Sequence, residues 1–462
     1  MLKYRALCFV DDQQGRDVES LLPLIYHAEK YLQCDVKFRF VWDIYAVYKE
    51  QPDIVIMANT VGSKWLFEIA KYAYEQNITL FALISEGNFR TNGTFDYWGY
   101  NTDRKFYQEY VCLWSEKIRD FFIKKLPEYA GQMVLTGATG FDRYKIYQFP
   151  SKEDFLQRKG LSRFKKVIGY AGWAFGKLHT EIGRQELKYF LSDKPDFWDE
   201  WTVQQRQEVE NILCRLVENN RDTLFILKVH PNETHPHITK ESPNEIYQLK
   251  SYPNVLYIKN EEAIHDLISV SDIWMGFETT TAIEAWMLNK ETILINPDPG
   301  FTRDCTHKGS VIAETYSKLQ LYIDEFYLNE KINDFNTPEK INARNQIIED
   351  TIGFADGLNH LRAAFYLNES LLKSRQRPHK PKFRLRFYIR SLELHVGSKF
   401  YIKSLFLRFP KFKKTAWIFD RYKLENISVL KSKYYPFLDA FYRKNDLSGF
   451  DVPKESWNKH MH

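Results

Sequence analysis

Ser271–Ile295 reads SDIWMGFETTTAIEAWMLNKETILI. Asp272–Phe277 is a short apolar run that stops at a Gly-Phe turn, and Thr279–Asn289 carries apolar residues at helical spacing. Thr292–Ile295 is again apolar and β-branched. A strand, a helix and a second strand in this compass form a βαβ unit, whose two strands run parallel. The same alternation extends upstream. Lys166–Tyr170, Thr223–Val229 and Val255–Ile258 are predicted strands, and Thr202–Asn219 and Glu262–Ser269 are predicted helices. Runs of four to seven apolar residues, lacking in-out alternation, indicate a parallel sheet covered on both faces.

The N-terminal third repeats the pattern. Tyr4–Val10, Val36–Val41, Asp53–Met57, Thr79–Ile84 and Val134–Thr136 are predicted strands, with helices over Val18–Tyr31 and about Ser63 to Glu75. A chain of 462 residues exceeds one ordinary core. Residues 146–164 are polar and broken by Pro150 and Gly160, which marks a linker. The fold class is therefore α/β, with two doubly wound domains over residues 1–150 and 160–359. Residues 360–462 are expected to add a helical, basic and aromatic C-terminal extension.

Charge is distributed unevenly. Residues 371–444 hold twenty Lys and Arg against four Asp and Glu, within a chain of net charge +5. In Lys380–Arg390 and Ser398–Lys414 basic residues alternate with apolar and aromatic ones. Basic residues attract anionic headgroups and the rings enter the interface, so this segment is expected at an anionic membrane surface. No recognition motif accompanies the charge, and no nucleic-acid partner is expected. No stretch approaches the roughly 18 apolar residues of a membrane span. The N-terminus reads as a first strand, since its apolar run is short and followed by Asp11 and Asp12. Five scattered Cys, with no CxxC pair, indicate a reducing compartment and no zinc site. The expected location is cytoplasmic, peripheral to the inner face of the plasma membrane. No metal or redox cofactor is expected.

Three stretches carry chemistry. Lys228–Pro231, KVHP, ends a predicted strand, the edge where open α/β sheets bind ligands. There His230 reaches a base, ribose or phosphate, or else simply closes a βα turn. Thr279, Thr280 and Thr281 open the next helix, where free amides and hydroxyls suit a phosphate. Thr279 is equally an ordinary N-cap. Glu284 follows within about a turn, placed for a ribose. The turn Ala171-Gly172-Trp173 would let backbone approach a ligand. In the first domain, Ile84-Ser85-Glu86-Gly87 ends a strand with a carboxylate, and Asp11 and Asp12 end another. A carboxylate so placed can act as a general base, Glu86 and the pair Asp11 and Asp12 being rival candidates. The loop Phe89–Tyr107 interleaves rings with polar groups. Asp96, Tyr97, Trp98, Asn101 and Arg104 are the candidate acceptor-binding residues.

KVHP followed by GFETTTAIEAWMLNKETILIN resembles the donor half of GT-B glycosyltransferases of capsule and lipopolysaccharide biosynthesis, nearest in pattern to sialyltransferase-like and Kdo-transferase-like enzymes. The resemblance has motif support over about residues 165–300 and rests on architecture over residues 1–145. It implies two Rossmann-like domains facing across a cleft. It implies that His230 and Pro231 meet the nucleotide and Thr279, Thr280 and Thr281 its phosphate; Lys228, Gly172 and Glu284 join them as nucleotide- or phosphate-binding candidates by their placement at the same strand ends and helix start. It implies that Glu86, in an acidic-Gly motif, is the catalytic base. The donor it implies is a CMP-activated nonulosonic acid or Kdo-like sugar, and the acceptor a lipid-linked or oligosaccharide surface glycan. Where retaining relatives carry a first Glu, this chain has Gly276, which leaves the stereochemical outcome open. CDP-glycerol-type polyol-phosphate transferases and UDP-sugar 2-epimerases share a similar layout. A membrane-associated scaffold of polysaccharide assembly is the non-enzymatic alternative.

Overall fold

The computed structural model describes residues 4–11, 15–85, 87, 95, 105–178, 183, 195–234, 244–298, 300, 305–374, 380–399 and 425–447. The chain forms two compact units, Met1–Tyr147 with Glu349–His462, and Gln148–Ile348.

The first unit is built on six parallel strands: β1 (Tyr4–Val10), β2 (Cys34–Phe40), β3 (Ile54–Met57), β4 (Thr79–Ala82), β5 (Val111–Leu113) and β6 (Met133–Leu135). Their order is β2-β1-β3-β4-β5-β6. Ala6 faces Ile54 in the β1/β3 pair, and Ile54 faces Thr79 in β3/β4. Every residue of β3 and β4 is buried, which accounts for their unbroken apolar sequence. The outer strand β2, CDVKFRF, carries Asp35, Lys37 and Arg39, charges that protect an edge. Ser63 and Ser115 cap the helices Lys64–Glu75 and Glu116–Lys125, accepting from the amides of Leu66 (3.3 Å) and Ile118 (3.2 Å).

The second unit also has six parallel strands: β7 (Lys166–Ala171), β8 (Thr223–Lys228), β9 (Val255–Ile258), β10 (Ile273–Gly276), β11 (Glu291–Ile295) and β12 (Val311–Ala313). The order β12-β11-β10-β7-β8-β9 is that of dinucleotide-binding sheets, and it reverses between β7 and β10. The helix Thr281–Met287 links β10 to β11, as the opening stretch requires. Gly169 in β7 has no side chain because Trp274 of β10 lies over it; a Cβ there would sit 2.3 Å from the indole.

The described residues from Asn359 onward are mainly helical, and their long helices are part of the first unit instead of a separate extension beginning at residue 360. The unit boundary falls at Ile348/Glu349, inside the helix Pro338–Ile352. Asp142 accepts from the amides of Asn359 (3.1 Å) and His360 (2.7 Å), capping the helix Asn359–Ser374. The same carboxylate meets His360 Nδ1 at 2.8 Å, and His360 Nε2 lies 3.0 Å from the Tyr442 hydroxyl. Tyr442 sits on the helix Glu425–Lys444, and its hydroxyl also meets His27 Nδ1 at 3.0 Å. Burial and the neighbouring His360 push His27 down to about 3, so its imidazole is neutral. Among the described residues no helix is long and apolar enough to cross a membrane.

Candidate functional site

The second unit's site begins where β7, β8 and β10 end. These strands lie side by side, so topology gathers Gly172, Lys228, His230 and Thr279 along one sheet edge. Gly172 follows β7 and donates its amide to the Lys228 carbonyl at 2.8 Å. A Cβ at Gly172 would lie 2.9 Å from that oxygen and 3.4 Å from the His230 nitrogen. The glycine is thus required by the chain's own β8 extension, apart from any ligand. Lys228 is buried, and its ammonium donates to the carbonyls of Val229 (3.1 Å) and Lys259. Burial pushes it down to about 8, against the opposing charge of Glu261. Its charge is therefore directed at backbone carbonyls. His230 is half-buried at the strand end, and Pro231 opens a 3-10 turn over Pro231–Thr234, with the Glu233 amide donating to the His230 carbonyl at 2.9 Å.

At β10, the structure differs from a ring of three hydroxyls opening onto a phosphate. Thr279 Oγ1 accepts from the Thr281 amide at 3.1 Å and lies 2.8 Å from Thr281 Oγ1. Thr281 Oγ1 in turn accepts from the Trp274 indole at 2.8 Å. Two of the three hydroxyls are thereby engaged within the unit, and Thr280 is the exposed one. The N-cap position is Thr280 and not Thr279, with no side-chain cap. The helix Thr281–Met287 has seven residues and holds Glu284 in its first turn, half-buried. Trp173, Phe175 and Phe277 pack as a buried cluster at the point where strand order reverses, with ring centroids 4.6–5.2 Å apart.

The sequence reading omitted two carboxylates at this edge. Glu233 Oε1 accepts from the Gly176 amide at 2.5 Å, at the short helix Phe175–Leu178. Burial pushes Glu233 up to about 7, against hydrogen bonds from Asn244 and the Gly176 and Lys177 amides. Glu245 is fully buried and accepts from the Trp173 amide (2.8 Å) and the Tyr170 hydroxyl (3.0 Å). Burial, and then the charge of Glu233, pushes Glu245 up to about 8. In each, Oε2 is buried and has no hydrogen-bond partner among the described residues. Two interacting carboxyl groups with values near neutrality titrate as a pair and hold a proton at pH 7. The signal in the sequence was Glu233, three residues beyond His230.

In the first unit, strand order reverses between β1 and β3. Asp11 lies at the end of β1, whereas Asp12 and Glu86 fall outside the described residues, as do Asp96, Tyr97, Trp98, Asn101 and Arg104. The described polar groups at this edge are others. Asn59 Nδ2 donates to Ser85 Oγ at 2.6 Å, and Ser85 Oγ donates to Asp17 at 2.6 Å. Gly87 packs against Trp114, where a Cβ would sit 2.6 Å from the indole. The turn at Gly137 is occupied by Asn359, which donates to the Ala138 (3.3 Å) and Phe354 (2.9 Å) carbonyls.

No family model matches this sequence, and no curated protein is similar to it at a significant level. Solved structures are similar. S. aureus MnaA in a co-structure with UDP superposes with a TM-score of 0.52 at 12% identity, covering 82% of this chain and 99% of that one. A Listeria monocytogenes protein assigned as a UDP-N-acetylglucosamine 2-epimerase gives 0.52 at 12% identity, over 83% of this chain and 100% of that one. A further UDP-N-acetylglucosamine 2-epimerase gives 0.51 at 14% identity, over 83% and 100%. None of the three is named as a sialyltransferase or a Kdo transferase. At these identities the likeness shows the fold: two Rossmann-like units of six parallel strands in one chain, the GT-B class, with a helical C-terminal portion.

Proposed function

We propose that this chain is an enzyme of UDP-sugar chemistry that holds the nucleotide at the C-terminal edge of the second unit's sheet and epimerises the sugar at C2. The observation that carries the reading is the carboxyl pair Glu233 and Glu245 beside the ends of β7 and β8, raised to about 7 and about 8. Epimerisation at C2 breaks and re-forms a C–H bond. It needs groups that both accept and release a proton near neutral pH. Glu233, half-buried, is the group proposed to face the sugar, and Glu245 positions it. His230, Pro231, the exposed Thr280 and Glu284 are proposed to contact the nucleotide, with Gly172 and Lys228 fixing the backbone beside them. The solved structures of similar fold support uridine over the cytidine implied by the motif resemblance, since UDP is named with each of them.

Transfer of the sugar to a surface-glycan acceptor is the second reading. It is supported by the polar group Asp17, Asn59 and Ser85 at the first unit's strand ends.

Thermal unfolding with UDP, CMP and GDP tests the nucleotide. UDP at 100 times its Kd contributes about 2.7 kcal/mol, which raises Tm by roughly 5–10 °C for units of this size. A larger shift with CMP would restore the CMP-sugar transferase, and no shift with any nucleotide would favour the scaffold. In D2O, UDP-N-acetylglucosamine alone should take up deuterium at C2. A transferase lacking its acceptor leaves that position unlabelled.

A further inference from the structure

The helix Leu385–Lys399 is apolar on two opposite faces. Phe387 and Leu394 are 1% and 0% exposed and form part of the first unit's core. On the other side Leu385, Tyr388, Ile389, Leu392 and Val396 follow helical spacing and are 61%, 40%, 46%, 49% and 38% exposed, with Phe383 at 49% just before them. A helix apolar all round is ordinarily buried all round. This one leaves the second stripe about half exposed, with Tyr388 and Phe383 edge-on to the Tyr45 ring at 5.2 and 6.1 Å. Scattered apolar side chains on a surface need no explanation, whereas a contiguous stripe marks an interaction site.

The charges beside the stripe identify the occupant. Arg384 and Arg390 are turned back onto the unit, pairing with Glu75 (2.5 Å) and Glu68 (2.7 Å), and so fix the helix's roll. Lys380, Lys382 and Lys399 are exposed, as is Arg386, which also lies 3.9 Å from Glu68, and Glu393 is the exposed acid of this helix. Residues 380–424 as a whole contain thirteen Lys and Arg against two acids, and eight aromatic residues fall within 400–424. An apolar stripe flanked by cations, continued by basic-aromatic sequence, complements a surface that is anionic outside and apolar beneath. We propose that this face of the helix Leu385–Lys399 docks on a bilayer containing anionic phospholipid, with the stripe entering the headgroup–acyl boundary. The helix is held by its inner face, so it reaches the bilayer already ordered. This inference is independent of the nucleotide reading.

Sedimentation of the full chain with vesicles tests it. Binding is expected with phosphatidylglycerol/phosphatidylcholine vesicles and not with phosphatidylcholine alone, and it should weaken as salt rises. The double substitution Ile389→Glu with Leu392→Glu should reduce partitioning at least about tenfold. Its Tm should match the parent, because both side chains lie outside the core; equal Tm shows that the loss is not unfolding. Parent-like pelleting of the double variant, or no pelleting of the parent on anionic vesicles, overturns the proposal. So does a parent dimer that the substitutions dissociate with no change in vesicle binding, which would assign the stripe to a second copy of the chain.

Discussion

Glu233→Gln is expected to lower turnover of a UDP-sugar by roughly 10²–10⁴-fold, the range for loss of a general acid–base group, with UDP binding nearly unchanged. The amide side chain still accepts the Gly176 N–H through its oxygen, so local geometry is retained and only proton transfer is lost. The pH profile gives a sharper readout. Because burial pushes Glu233 up to about 7 and Glu245 up to about 8, the pair loses its proton across the neutral range. Glu245→Gln removes the group that ionises second, near 8, its value raised by burial and by the charge of Glu233. The turnover profile should then lose its ionisation near 8 and keep the one near 7, with a smaller loss of rate than in Glu233→Gln. A parent-like profile for Glu245→Gln, or full turnover for Glu233→Gln, would move the chemistry away from this pair.

Deleting the chain from Glu425 onward is expected to unfold the first unit. The helix Glu425–Lys444 buries Ile427, Tyr434, Leu438 and Tyr442, each at most 4% exposed. At about 1.5–3 kcal/mol per buried side chain, an upper estimate, that burial contributes roughly 6–12 kcal/mol. This is comparable to the whole stability of an ordinary domain, about 5–15 kcal/mol. Polar contacts add direction. Lys431 and Tyr435 meet Glu29 at 2.5 and 2.8 Å, and Tyr26 donates to Asp439 at 2.5 Å. The milder Tyr442→Phe removes the hydroxyl shared by His27 and His360, at a cost of about 1–3 kcal/mol. His27 also sets the acid limit. Its folded value lies near 3 and its unfolded value near 6.5, so the folded state binds fewer protons between them. Stability from this group is complete above about 6.5 and lost as pH falls below it. A chemical-denaturation series on the truncated chain, Tyr442→Phe and the parent checks the order. A truncated chain that unfolds like the parent would contradict the packing. The tail therefore cannot be removed wholesale to test membrane binding; substitutions in the exposed stripe are required.

Much of the fold was legible because the strands are short apolar runs and the helices between them are amphipathic. Ile54–Met57, Thr223–Lys228 and Glu291–Ile295 lie within a residue or two of their predicted places. The strand Val111–Leu113 was missed because three residues are too few to show a period, and the helix after it depends on the Ser115 cap. The placement of residues 349–447 with the first unit could not be read from local pattern. It is decided by contacts such as Asp142 to His360 and His27 to Tyr442, more than 200 residues apart. The position of His230 and Gly172 at strand ends was legible, because a sheet edge follows from strand order. The carboxyl pair was not. A Glu in sequence reads as a surface residue, and only the fold brings Glu245 beneath Tyr170 and Trp173. Likewise, three adjacent threonines suggest three free hydroxyls, while the structure turns two of them onto one another and onto Trp274.

A crystal structure of the chain grown with UDP addresses the central claim most directly. UDP should lie against the second unit, touching His230 and the turn from Phe277 to Thr280, with Glu233 on the diphosphate side where a sugar would continue. UDP bound at the first unit's strand ends, or a second unit whose β7, β8 and β10 ends stay in contact with water alone at saturating UDP, would contradict it.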